Sequence, residues 1–142
     1  MLDVHIDDFF KDCSTILLIG FRRFPRTQTL FVEDISGPDE MDEFGLHSNR
    51  HLAALGALEW LKEEGYVRYG AMDRQLSVDE FVLSAKALSR MLKPIRASMN
   101  EYDKDAIETT PVVQVLEFAR LQSDTTWMSQ IMQQHVLMHD HA

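Results

Sequence analysis

Apolar residues first recur at helical spacing near the start of the chain. Phe9, Cys13, Ile16, Leu17, Gly20 and Phe24 fall on one face, and Phe10 and Phe21 widen it. The pattern predicts a mostly buried helix from about Asp7 to Phe24, stopped by Pro25. Thr29 to Ile35, TLFVEDI, is rich in β-branched and aromatic residues and predicts a short strand broken by Ser36-Gly37-Pro38. Pro38 to Phe44 predicts a small helix, with Pro in its first turn and Asp39 and Glu40 near its positive end. Ser48 or Asn49 can cap a longer helix running to about Glu64, and Gly65 suits its left-handed stop. Tyr66 to Ala71 and Val78 to Leu83 predict strands joined by a polar tip, Met72 to Gln75. Ser84 then caps a helix from Ala85 to about Leu92.

Beyond Pro94 the expectation is a helical extension. Thr110-Pro111 predicts a helix start, with Thr as cap and Pro in the first position. Val112, Val113, Val115, Leu116, Phe118 and Ala119 follow, and Gln122 to Thr126 interrupts the apolar pattern. Trp127, Met128, Ile131, Met132, Val136, Leu137 and Met138 resume it. One long helix with a polar waist and two separate helices both fit. Either carries enough apolar surface to pack on the preceding domain or on a second subunit.

Helix, strand, short helix, longer helix and two-stranded hairpin is an order that resembles the winged helix-turn-helix superfamily. EEGYVRY resembles its helix-to-wing junction and FVLSAKAL its wing-to-helix exit. The resemblance covers residues 7–92 and names no particular family. It implies an α+β, winged helix-like domain with a small antiparallel sheet, followed by the helical extension over 94–142. It also implies a binding protein, for DNA in most cases and for protein in others, rather than an enzyme.

Composition narrows that choice. The chain of 142 residues suits one domain with a tail, and its 45% hydrophobic and 26% charged residues are those of an ordinary globular protein. A net charge of −9 repels a phosphate backbone at long range. The single cysteine, Cys13, lies among Phe9, Phe10, Ile16 and Leu17 and reads as a small buried hydrophobe. The acidic start, MLDVHIDD, lacks the basic flank of a signal peptide, and the apolar run Ile16 to Ile19 is too short to cross a membrane. A reducing cytoplasm is the expected compartment, with no membrane partner.

The longer helix bears on DNA binding most directly, because that element enters the major groove in DNA-binding winged helices. Projected at about 100° per residue, Ala54, Leu55, Leu58 and Leu61 face the core. The opposite side holds Ala53, Gly56 and Trp60, flanked by Ala57, with Leu52, Glu59 and Glu63 beside them. That side carries no cation. It suits close helix packing, so Ala53, Gly56, Ala57 and Trp60 form the expected interaction surface. The cover expected for it is the extension, a dimer mate or another protein, and a homodimer is the expected assembly. The alternative is a DNA-binding regulator using Ser48, Asn49 and Arg50 at the helix tip and Arg68 and Arg74 on the wing. Arg22, Arg23 and Arg26 would join them if the fold brings them close.

Catalytic chemistry has little support. The chain holds no glycine-rich phosphate loop and no GxSxG elbow. His47 and His51 are four residues apart, with Glu43 as a nearby third donor, and His135 and His139 repeat the spacing with Asp140 and His141. Neither pair has the HExxH arrangement, and surface histidines are the plainer expectation. No enzyme activity, cofactor or metal is therefore expected.

Overall fold

The computed structural model describes residues 4–137. Helix α1, Val4–Arg23, leads into strand β1, Gln28–Phe31, and a single helical turn α2, Glu33–Ser36. Helix α3 spans Asn49–Glu63, and β2, Val67–Arg68, β3, Met72–Asp73, and β4, Ser77–Leu83, follow. Helix α4 is Ala85–Met91. Strands β5, Pro94–Ser98, and β6, Ile107–Pro111, precede α5, Val112–Leu121, and α6, Thr125–Ile131, which runs into a π-helical turn at Met132–Val136. The molecule is thus mixed helix and small antiparallel sheet.

Strand β4 is the centre of the first sheet. It pairs antiparallel with β1 on one side and with β2 and β3 on the other. The β1 register shifts between Gln28 and Leu30, opposite Glu80, whose φ of 58° marks the extra residue on β4. Arg74 and Gln75 close the β3–β4 turn with φ of 48° and 63°, in the left-handed region without a glycine. Gly20 lets α1 lie close on this sheet, since a Cβ there would sit 2.6 Å from Leu83 Cδ2.

Helix α3 begins as expected: the Ser48 hydroxyl accepts the His51 amide, and Gly65 leaves the helix at φ 82°. Ser84 caps α4 through the Ala87 amide in the same way. The segment 38–44 is not a helix. There the Asp42 carboxylate takes the amides of Phe44 and Leu46, and Asp39 takes that of Ser48, so side chains bind the backbone in place of helical carbonyls. The short helix comes earlier, at Glu33–Ser36, in what reads in the sequence as the end of a strand.

The extension also differs from expectation. Residues 94–111 form a hairpin; a helix does start at Thr110-Pro111, but one residue later than expected, with Pro111 ending β6 in the N-cap position of α5 and no side-chain cap from Thr110. The two-helix alternative holds beyond it, divided at Gln122–Asp124, with the Asp124 carboxylate capping α6. These helices pack on α1 and α4, not across α3. Val115, Leu116, Met128, Ile131 and Met132 join Cys13, Ile16, Leu58 and Phe81 in one continuous core. Arg90 ties the two halves, donating to the Val136 carbonyl at 2.6 Å and to the Tyr66 hydroxyl at 2.5 Å. No helix among the described residues is long and apolar enough to cross a membrane.

Candidate functional site

Two features of α3 stand out: its uncovered face and the polar cluster at its N-terminal end. Asn49, Leu52, Ala53, Gly56, Glu59, Trp60 and Glu63 are all exposed. At about 100° per residue they occupy one third of the helix circumference. Leu52 is 41% exposed and Trp60 36%. A Cβ built on Gly56 would meet nothing within 4 Å, so this backbone lies open. Trp60 is held at its inner edge by Phe9, whose ring crosses it at 5.1 Å, and lies over Tyr66 at 6.1 Å. Ala57 does not belong to this face. It is 1% exposed and sits in the core, because its direction falls on the buried side of the arc, next to Leu61.

The groups gathered for the DNA-binding alternative are scattered and mostly engaged. Ser48 is spent on the helix cap. Arg50 grips Asp12, donating from Nη1 to Oδ2 at 2.7 Å and from Nη2 to Oδ1. Burial first of all pushes the Asp12 carboxyl above the usual range, and the Arg50 guanidinium pulls it back. Arg22 lies 3.3 Å from Glu117 of α5 and Arg74 3.2 Å from its neighbour Asp73. Asn49, Arg23, Arg26 and Arg68 are exposed, the arginines on different elements from α3.

The cluster at the start of α3 joins the helix to the loop before it. His51 comes from the first turn of the helix, His47 from the loop before it and Asp39 from farther back in the same loop. The two imidazole rings stack at 4.1 Å, tilted by 10°. Asp39 Oδ2 lies 2.7 Å from His47 Nδ1 and 3.6 Å from His51 Nδ1, while Oδ1 accepts the Ser48 amide at 3.2 Å. Hydrogen bonding from Ser48, and then from His47, outweighs burial and holds the Asp39 carboxyl down to about 2. All three side chains are nearly or fully removed from solvent.

His51 Nε2 lies 2.7 Å from the carbonyl oxygen of Gln75 in the β3–β4 turn. A carbonyl only accepts, so Nε2 carries the proton. The other ring nitrogen, Nδ1, has no hydrogen-bond partner although it is fully buried, and it faces Asp39 Oδ2. Sequence spacing pointed to the histidine pair but offered Glu43 as third donor; Glu43 is exposed, and Asp39 holds that place. Of the second expected group, His139, Asp140 and His141 lie outside the described residues, while His135 is half-buried in the π turn.

Elsewhere an open groove of about 980 Å³ separates the β5–β6 hairpin from α5 and α6. Arg96, Lys104, Glu101 and Asp124 line it with both signs of charge, around Phe118 and Trp127.

No protein-family model, curated protein or solved structure matches this chain. What it does is therefore read from its own surfaces.

Proposed function

We propose that this chain is a non-enzymatic regulatory or protein-interaction module built on a winged helix-like fold, and that it pairs with a second copy through the open face of α3. The order α1, β1, α2, α3 and hairpin, with β4 between β1 and β2, supports the winged helix-like reading. The observation that carries the function is the face itself: Leu52, Ala53, Gly56 and Trp60 exposed together, with acids beside them and no cation among them. A groove-binding helix would present arginine, lysine, asparagine or glutamine there.

Charge and symmetry favour a second copy. Gly56 is the midpoint of Asn49–Glu63, so two α3 helices can cross there with close backbones. Run antiparallel, each would lay Glu59 and Glu63 toward the other's N-terminal end, where Asn49 stands and the helix dipole is positive. A variant carrying Asn49→Cys and Glu63→Cys tests this orientation. Mild oxidation is expected to give a disulfide-linked dimer from the double variant and not from either single variant. Linked dimers from the single variants, or none at all, would count against it.

DNA binding is the alternative, through Asn49, Arg68 and the arginines after α1. Titrating salt against binding to mixed duplex DNA separates the two. Affinity that falls steeply with salt would favour DNA, since phosphate neutralisation gives that slope; no measurable binding at low salt is the outcome expected here.

A further inference from the structure

The cluster at the N-terminal end of α3 is laid out as a metal centre. We propose that Asp39, His47 and His51 bind one divalent transition ion, zinc by preference, as two imidazoles and a carboxylate.

One ligand atom from each residue lies within 4.8 Å of the others, the span of a first coordination shell before it closes on an ion. Asp39 supplies the carboxylate of the set. Its Oδ1 is fixed by the Ser48 amide, which leaves Oδ2 turned toward both rings. His51 is the informative residue. Its Nε2–H is committed to the Gln75 carbonyl, the outer-shell bond that ligating histidines commonly make to fix tautomer and ring orientation. Its Nδ1 has no hydrogen-bond partner and faces a carboxylate oxygen 3.6 Å away, inside a fully buried setting. A cation held between that nitrogen and the carboxylate gives both atoms a partner. A neutral hydrogen-bonded core histidine would show both nitrogens satisfied.

The rings are nearly parallel, so both lone pairs cannot aim at one point in the stacked arrangement. Gln75 holds His51 by a backbone carbonyl, whereas His47 sits in the loop, stacked on His51 and hydrogen-bonded to Asp39. His47 therefore turns out of the stack on binding, and the Nδ1 proton it gives to Oδ2 leaves to solvent or moves to Nε2 as Nδ1 bonds the ion. Imidazole with carboxylate suits zinc among the common ions, and three protein donors leave the remaining position to water. The ion would pin the 37–48 loop to α3 and, through His51 and Gln75, to the β3–β4 turn. The role assigned is structural.

The full chain, stripped of metal by a chelator, is titrated with Zn²⁺ by calorimetry and with Co²⁺ by visible absorption. One ion per chain is expected, with affinity reduced about tenfold or more by Asp39→Asn and by His47→Ala. Both positions lie outside the helices and strands, so these variants leave the elements intact, which circular dichroism checks. His135→Ala should leave the same ion in place. Zinc should also slow proteolytic cutting within 37–48 in the wild type and not in the two variants. Absence of binding at about 0.1 mM Zn²⁺ overturns the assignment. So does zinc binding that is as tight in Asp39→Asn and His47→Ala as in the wild type, which would move the ion to the C-terminal histidines.

Discussion

Gly20 is packed so closely under Leu83 and Phe81 that any side chain there must displace buried atoms. Gly20→Ala should cost about 1–3 kcal/mol, the usual penalty of overpacking, despite alanine's better helix propensity. Urea unfolding measures it, and a more stable variant would contradict this account of the packing. Arg50 and Asp12 give a second residue-scale prediction. Arg50→Ala leaves the buried carboxylate without its cation, so the variant should be less stable at neutral pH. With Arg50 gone, the folded-state pKa of Asp12 lies well above its unfolded value. The variant's deficit should then shrink as pH falls and the carboxyl takes up a proton in the fold. A deficit unchanged between pH 7 and pH 5 would mean that the charge is not what Arg50 serves. At this scale the sequence was legible where chemistry is local: Ser48 and Ser84 as caps and Gly65 as a stop need only their neighbours. Asp39 and the Gln75 carbonyl were not legible as partners of His51. They reach it across a loop and a strand turn, and no spacing rule connects positions 39, 51 and 75.

At the level of elements, α3 depends on its first turn more than its composition suggests. Ser48→Ala removes the hydroxyl that accepts the His51 amide and should cost about 1 kcal/mol. Thermal unfolding measures the loss, and Ser48→Thr should restore most of it, because its hydroxyl can cap the same amide and still donate to the Asp39 carboxylate. Punctuated helix ends could be read from the sequence to within a residue, both ends of α3 and the C-terminal end of α1, whereas α1 begins three residues before the expected Asp7. The β5–β6 hairpin could not. Its strands are short and largely exposed, so the period of two that marks a half-buried strand is weak. Its turn signals were present in Asn100, whose side chain accepts the amides of Tyr102 and Asp103. The helix expected at Pro38 to Phe44 fails for the opposite reason. Asp39 and Asp42 are good first-turn residues, but here their carboxylates are taken by His47, Ser48, Phe44 and Leu46.

The whole molecule has one core, shared by both halves of the chain, so stability measured at one end reports on the other. His135 offers a way to see this. Burial, and then the charge of Lys93, holds its pKa below the ordinary 6.5. The unfolded chain therefore binds this proton at higher pH than the folded chain. The stability at stake is complete above about pH 6.5 and is lost as pH falls from there toward the folded-state value. Denaturant midpoints should drop over that window in the wild type and drop less in His135→Gln; equal slopes would refute the assignment.

Because the C-terminal helices lie on α1 and α4, they leave Leu52 and Trp60 of α3 exposed. Gly56 allows a direct test. A side chain added there meets nothing within the chain, so Gly56→Arg should keep the fold while blocking any helix that crosses at this point. The decisive measurement is the mass in solution of wild type and Gly56→Arg, by sedimentation equilibrium across a concentration series. Twice the chain mass of 16.4 kDa is expected for the wild type and a folded 16.4 kDa monomer for the variant. A wild type that stays monomeric at about 0.1 mM, or a dimer that Gly56→Arg leaves intact, would contradict it.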